Sequence, residues 1–227
     1  MRGLFVTGTD TGAGKTVLAA AIVAALAARG ARVAAFKPVL TGTDEPPSDW
    51  PRDHELLAAA AGASPEDVAP LRFGPAVSPH LAVELAGKTI DPRELVRSAN
   101  AAGDGADALI VEGVGGLLVP LTPEFSVRDL AVALGLPLVV AARPGLGTIS
   151  HTLLTVEAAR AVGLDVRAVV LTPWPSTPSA MERSNQETIA RIAGVDVTGL
   201  ERVEHPDVDS LAHAGERLPI ADWLDAI

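Results

Sequence analysis

A glycine-rich loop set between a strand and a helix constrains this chain more than any other feature. Leu4-Phe5-Val6 is a short apolar run, and Gly8-Thr9-Asp10-Thr11-Gly12-Ala13-Gly14-Lys15-Thr16 follows it. From Lys15 the pattern turns helical, with Val17, Leu18, Ala21, Ile22, Ala25 and Leu26 on one face and Gly30 placed as a C-terminal cap. In that context backbone N–H groups turn inward on phosphates, and the helix N-terminus adds a favourable partial charge. Lys15 is placed to reach terminal phosphates, and the Thr16 hydroxyl to bind Mg²⁺. The match to G-x-x-x-x-G-K-[ST] is imperfect: Thr9 stands where the first Gly belongs, and Gly8 comes one residue early. The Gly14-Lys15-Thr16 core and its context carry the assignment.

The rest of the chain alternates strands and helices. Arg32–Phe36, Ala108–Val111, Leu138–Ala141 and Val166–Leu171 read as strands, and the continuous apolar runs among them suit strands covered on both faces. Helices are expected from His54 to Ala61, from Asp91 to about Ala102 and from His151 to Val162. Asp91-Pro92-Arg93-Glu94 offers an N-cap, a Pro at the first helical position and a Glu for a capping box. Asp44–Trp50 reads as a surface loop, and Thr188–Ile227 as short helices mixed with loops. The pattern predicts one α/β domain over 1–227, a mainly parallel sheet flanked by helices in three layers.

Composition narrows the function. Eighteen Lys and Arg against 28 Asp and Glu give a net charge of −10, which argues against a broad nucleic-acid surface or an anionic membrane as partner. With no cysteine, thiolate metal sites and a Cys nucleophile are excluded. No signal peptide or membrane-spanning run is read in the sequence, so a cytoplasmic enzyme is expected.

Three further segments fall where parallel strands end, the place where open α/β sheets bind ligands. Lys37-Pro38-Val39-Leu40-Thr41 puts a cation at a strand end, fit to neutralise a transferring phosphoryl group. Val111-Glu112-Gly113-Val114-Gly115-Gly116 puts a carboxylate there, fit for Mg²⁺ or its water shell. Gly145-Leu146-Gly147-Thr148-Ile149-Ser150-His151 precedes a helix, where free N–H groups suit an anion or where Thr148 or Ser150 simply caps. Asp53, near a helix start, is either a further metal contact or simply an N-cap or exposed helix charge, and Ser78-Pro79-His80 lies in a loop.

Together these segments resemble the dethiobiotin synthetases. The resemblance runs from Phe5 to Thr172 and rests on Val6-Thr7-Gly8-Thr9-Asp10-Thr11, Gly14-Lys15-Thr16, Lys37-Pro38-Val39, Ser78-Pro79-His80, Val111-Glu112-Gly113, Gly115-Gly116-Leu117 and Gly145-Leu146-Gly147-Thr148-Ile149. It implies a homodimer of phosphate-loop subunits, with sites at the subunit interface. It also implies closure of a ureido ring on 7,8-diaminononanoate with CO2 and MgATP, through a carbamate and a carbamic–phosphoric mixed anhydride. By matching positions, Gly12, Ala13, Gly14, Lys15, Thr16 and Val17 hold the nucleotide phosphates. Gly113, Val114 and Gly115 continue the nucleotide site, and Thr172 and Pro173 stand near the base. Thr16, Asp53 and Glu112 serve Mg²⁺, and Lys15 and Lys37 stabilise the transferring charge. Thr41, Ser78, Pro79 and Gly115 face the diamine, and Gly147, Thr148, Ile149 and Ser150 take its carboxylate in the partner's site. The chain departs from the family pattern twice. Ser150 replaces a frequent Asn, and Thr172-Pro173-Trp174-Pro175 stands where a base-reading Asn is frequent, so triphosphates other than ATP are expected to serve.

Two other phosphate-loop families are distinguished by residues this chain does not have. A ParA- or MinD-type switch ATPase carries a signature lysine where this chain has Asp10, and a cobyrinate amide synthase carries a second, Cys-dependent domain that this chain lacks.

Overall fold

Apolar strands that must be covered on both faces, joined by helices, dictate the architecture. A computed structural model describes residues 2–46 and 48–224; Met1, Pro47 and residues 225–227, which the single-domain reading, the 44–50 loop and the C-terminal reading include, lie outside the described residues. The elements in chain order are β1 (Gly3–Gly8), α1 (Lys15–Ala28), β2 (Val33–Phe36), β3 (Leu40–Thr41), α2 (Asp53–Ala61), α3 (Pro65–Val68), β4 (Arg72–Phe73), α4 (Pro79–Leu85), α5 (Pro92–Ala102) and β5 (Ala108–Glu112). They continue as β6 (Pro120–Thr122), β7 (Phe125–Ser126), α6 (Val127–Leu134), β8 (Leu138–Ala142), α7 (Thr148–Arg160), β9 (Val166–Trp174), α8 (Ala180–Ala193), β10 (Asp196–Glu201), α9 (Val208–Glu216) and α10 (Ile220–Trp223).

Six strands form one parallel sheet in the order β10-β9-β8-β1-β5-β2, with β3–β4 and β6–β7 as two small satellites. Alternation along each strand divides the core. Leu4, Val6, Ile110, Val139, Ala141 and Val170 pack on the face that carries α1, α2 and α9. Phe5, Val111, Leu138, Val140 and Leu171 pack on the opposite face, against residues of α5, α6, α7 and α8. The expected three layers are therefore present. Fully burying one such side chain contributes ~1.5–3 kcal/mol, so both faces are needed to hold the sheet.

Several local expectations are corrected. Helix α1 is buried all round from Leu18 to Leu26 and not on one face, because the sheet covers one side while α2 and α9 cover others. Its small Ala side chains let those neighbours approach. At α5, Asp91 does cap, accepting from the Arg93 N–H at 2.8 Å, and Gly103 ends the helix. Glu94 does not complete a capping box; it turns to Arg97 one turn on. Helix α7 starts at Thr148, three residues before the expected His151. The segment after 188 is not only short helices and loops: it contains the edge strand β10, parallel to β9.

The order β2-β5-β1-β8 gives the site its place. The chain leaves β1, runs to β2, returns to β5 beside β1, and then crosses to β8 on the other side of β1. The carboxyl end of β1 is thus the switch point, where a crevice opens between diverging connections.

Candidate functional site

A cleft of about 670 Å³ opens at this switch point, and its lining includes Gly12, Gly14, Lys15, Thr16, Lys37, Asp53 and Glu112. Gly14 closes the loop as N-cap of α1 with φ +88°, a left-handed conformation that a side chain would strain. A Cβ there would also stand 2.4 Å from Thr172 Cγ2, so the end of β9 backs the loop directly. The Lys15 ammonium donates to the Asp10 carbonyl at 2.9 Å, which folds it over the loop.

The ends of β2 and β5 and the starts of α1 and α2 bring four charges together, those of Lys37, Glu112, Lys15 and Asp53. Lys37, just after β2, is buried and donates to Glu112 Oε1 at 2.9 Å and to Asp53 Oδ2 at 2.9 Å. Glu112, the last residue of β5, is fully buried, and its Oε1 also accepts from the Thr16 hydroxyl at 2.8 Å. Asp53 is the first residue of α2, with Arg52 as N-cap; it is therefore neither the cap nor a free helix charge.

Burial and charge pull against each other here. Burial works against the Lys37 ammonium, but Glu112 and Asp53 together outweigh it and hold its pKa above the ordinary lysine value. Burial likewise opposes the Asp53 carboxylate, yet the Lys37 charge and hydrogen bond hold its pKa below the ordinary value. Burial pushes the Glu112 carboxyl up further than the Lys37 charge draws it down. At Lys15 burial lowers the pKa, with Glu112 opposing and Lys37 adding to the shift.

The donor set fits a hard divalent cation. Glu112 Oε2 is buried with no hydrogen-bond partner, beside the Thr16 hydroxyl and the Asp53 carboxylate. Among the described residues no cluster of three or more His, Asp or Glu side chains could hold a metal on its own. Two carboxylates and a hydroxyl suit Mg²⁺, which keeps several waters and takes few protein ligands.

The other expected residues divide. Val17, Thr41, Ser78, Pro79, Val114 and Gly115 line the same cleft, as do Leu40, Trp50, Leu56 and Val77, which give it an apolar side unforeseen in the sequence. Ala13 is buried within the loop, and Gly113 packs against Val127 and Phe5 and not into the cleft. Thr172 is buried behind Gly14, and Pro173 is exposed, joined to it by a cis peptide bond. Trp174 instead lines a second cleft with Gly199, Glu201, Arg202, His213 and Arg217. The stretch Gly147–Ser150 does not line the main cleft. Gly147 is the N-cap of α7, and neither Thr148 nor Ser150 caps it; Thr148 is buried, its hydroxyl 3.4 Å from that of Thr152.

Arg143, which follows β8, was not singled out by the sequence. Its Nε donates to the Gly12 carbonyl at 3.1 Å and its Nη2 to that of Thr11 at 3.4 Å.

Comparison with known proteins adds to this geometry. The family model described as "AAA domain" matches residues 2–205. Similar curated proteins include the ATP-dependent dethiobiotin synthetase BioD of Anaeromyxobacter sp. (strain Fw109-5), 45% identical over 86% of this chain and 86% of that one. That of Bacillus subtilis (strain 168) is 37% identical over 88% and 87%, and that of Anaeromyxobacter dehalogenans (strain 2CP-C) is 41% identical over 94% and 95%. Among solved structures, the cell division ATPase MinD of Pyrococcus furiosus superposes with a TM-score of 0.56 at 16% identity, covering 95% of this chain and 98% of that one. The septum site-determining protein MinD of Pyrococcus horikoshii OT3, complexed with Mg-ADP, gives 0.57 at 16% identity, covering 96% of each. At that identity the likeness is one of fold.

Proposed function

The chain belongs to the ATP-dependent dethiobiotin synthetase family, and from that membership we propose how its cleft makes dethiobiotin from 7,8-diaminononanoate, CO2 and ATP. The observation that carries the reading is the Lys37 ammonium held between Asp53 and Glu112, beside the Lys15 loop. Phosphoryl transfer demands positioning and positive charge more than a covalent partner. One amine nitrogen attacks CO2 and loses a proton, giving a carbamate. A carbamate oxygen attacks the γ-phosphorus and ADP leaves. The second amine then attacks the carbonyl carbon of this mixed anhydride, closes the ring, loses a proton and releases phosphate.

Each residue has a part in this scheme. The N–H groups from Gly12 to Val17 cradle the phosphates, and Lys15 exchanges its Asp10 carbonyl for a phosphate oxygen. Lys37 faces the carbamate and the γ-phosphoryl oxygens. Thr41, Ser78, Pro79 and Gly115 position the diamine along the apolar side of the cleft. Thr16, Asp53 and Glu112 would hold Mg²⁺, which would supply neutralisation of the negative charge on the transferring phosphoryl group. The site belongs to one domain spanning 1–227.

The α7 N-terminus, Gly147–Ser150, is proposed to take the substrate carboxylate in the partner subunit of a homodimer. Exposed apolar side chains around it support an interface: Leu146 just before the helix, Leu154 on it, and Leu118 across a shallow cleft from Leu154. No helix among the described residues is long and apolar enough to cross a membrane, and we place the enzyme in the cytoplasm. The MinD-type reading shares the fold alone, and Asp10 stands at the position of its signature lysine.

The test is direct. The protein is mixed with diaminononanoate, bicarbonate and MgATP, with controls lacking each, and dethiobiotin is sought by mass. Product only in the complete mixture is expected; ATP hydrolysis without product, independent of the diamine, would overturn the reading.

A further inference from the structure

We propose that Arg143 is a positioning residue of the nucleotide loop, holding its peptide groups from behind so that their N–H groups face the phosphates. The proposal rests on the reading of the loop as a nucleotide site. In a trans peptide the carbonyl and the N–H point in opposite directions. Arg143 donates to the carbonyls of Thr11 and Gly12, which belong to the same peptide groups as the N–H of Gly12 and of Ala13. Fixing those carbonyls on the guanidinium therefore aims both N–H groups away from it. Thr11 and Gly12 line the cleft and Arg143 does not, so the guanidinium stands on the far side of the loop. Its contact is close: a Cβ on Gly12, whose φ is +71°, would lie 2.8 Å from Arg143 Nη2.

Two physical effects follow. A cation on the carbonyl polarises the peptide and strengthens its N–H as a donor. Holding the loop also removes ordering cost at binding, which is large where glycines leave the backbone free. The arginine is itself anchored. It sits at the end of β8, the direct neighbour of β1, and the next two carbonyls, of Pro144 and Gly145, accept from Asn185 Nδ2 at 2.9 and 3.3 Å. Lys15 and Arg143 thus hold the loop differently. Lys15 lies in the cleft and gives up its carbonyl when phosphate arrives, whereas Arg143 stays.

The test uses R143M, which keeps most of the stem, and R143K, which keeps the charge with a single donor group. Binding of MgATP, MgADP and inorganic tripolyphosphate is measured by calorimetry, with thermal melts in the absence of nucleotide. R143M is expected to bind all three about tenfold more weakly. R143K should recover part of the loss, the melt without nucleotide should be unchanged, and the defect in turnover should fall on KM for ATP. Affinities within about twofold of wild type, or a loss for ATP without one for tripolyphosphate, would overturn the proposal. So would a lowered melt shared equally by both variants with binding retained. Because binding is read without turnover, a chain that bound nucleotide yet made no dethiobiotin would defeat the functional reading and leave this one standing.

Discussion

Lys37→Gln removes the cation that bridges Asp53 and Glu112. At an effective dielectric of about 20, unit charges 2.9 Å apart attract by ~6 kcal/mol. Two such contacts offset a desolvation penalty of several kcal/mol for each buried ion. The substitution leaves the carboxylates unequally exposed. Asp53 has 44% of its side chain in solvent and can rehydrate, whereas Glu112 at 0% cannot. Breaking a buried pair costs ~3–5 kcal/mol, and here the cost falls mainly on Glu112. Burial already raises the folded pKa of Glu112 above its ordinary 4.5, so the unfolded chain gives up that proton first and stability falls as pH rises through this window. Without Lys37 the folded value rises further and the fall is larger. Lys37, raised in the fold, stabilises fully below its ordinary 10.5 and loses its effect only in stronger alkali. The gap in melting temperature between wild type and K37Q should therefore narrow as pH falls, because protonation removes the need of Glu112 for a partner, and be wider at pH 8 than at pH 5. In turnover, loss of one preorganised contact to the developing charge should lower kcat at least ~100-fold. Calorimetric melts at the two pH values and dethiobiotin formation by mass give both readouts. A gap that is constant or wider in acid would refute the charge argument, and near-normal turnover in folded K37Q would remove Lys37 from catalysis.

Three further outcomes are expected. Glu112→Gln should raise the Mg²⁺ concentration needed for half-maximal activity without unfolding the chain, and an unchanged Mg²⁺ titration would leave Glu112 a structural role only. Mixing inactive Lys15→Ala with inactive Gly147→Val should restore part of the activity through hybrid dimers with one undamaged site; a fully active monomer by sedimentation would sink the shared site. CTP, GTP and UTP should each support turnover to within about tenfold of ATP in kcat/KM, because Thr172 is buried behind Gly14 and cannot read a base edge. A preference for ATP above about a thousandfold, over ~4 kcal/mol, would show that other groups read adenine.

The sequence shows most plainly what buried parallel strands must show. A strand covered on both faces is a continuous apolar run, so a charge at its end stands out, and Lys37 after β2 and Glu112 ending β5 were visible for that reason. Strand β10 was not visible. Asp196-Val197-Thr198-Gly199-Leu200-Glu201 lies at the sheet edge, needs no double cover and carries no apolar run. Helix α1 misled in the other direction, since an Ala-rich segment has no polar face to mark which side is buried. The capping box at α5 failed because Arg97, one turn after Glu94, offers its carboxylate a charged partner in place of a backbone N–H. Arg143 was beyond local reading altogether. Its partners are over 130 residues earlier, and only the adjacency of β8 and β1 brings them within reach.

Strand adjacency on the other side of β1 explains why the charges converge at all. Residues 15, 37, 53 and 112 are scattered along the chain, yet β1, β5 and β2 are consecutive neighbours in the sheet and end on one side. Neighbouring strands lie ~4.8 Å apart, so side chains at successive strand ends can share a few ångströms of space. Glu112 occupies the middle strand end and is the atom-level hub, with Lys37 reaching it from β2 and Thr16 from the start of α1. On the other flank of β1, β8 supplies Arg143 to the loop's carbonyls. The loop is therefore gripped between neighbours of opposite chemical tasks. The β5–β2 side builds the charge-neutralising floor of the cleft, and the β8 side fixes the backbone donors. Exchanging the positions of β5 and β8 around β1 would retain every motif in the sequence and destroy this division, so the site is a property of strand order as much as of residue identity.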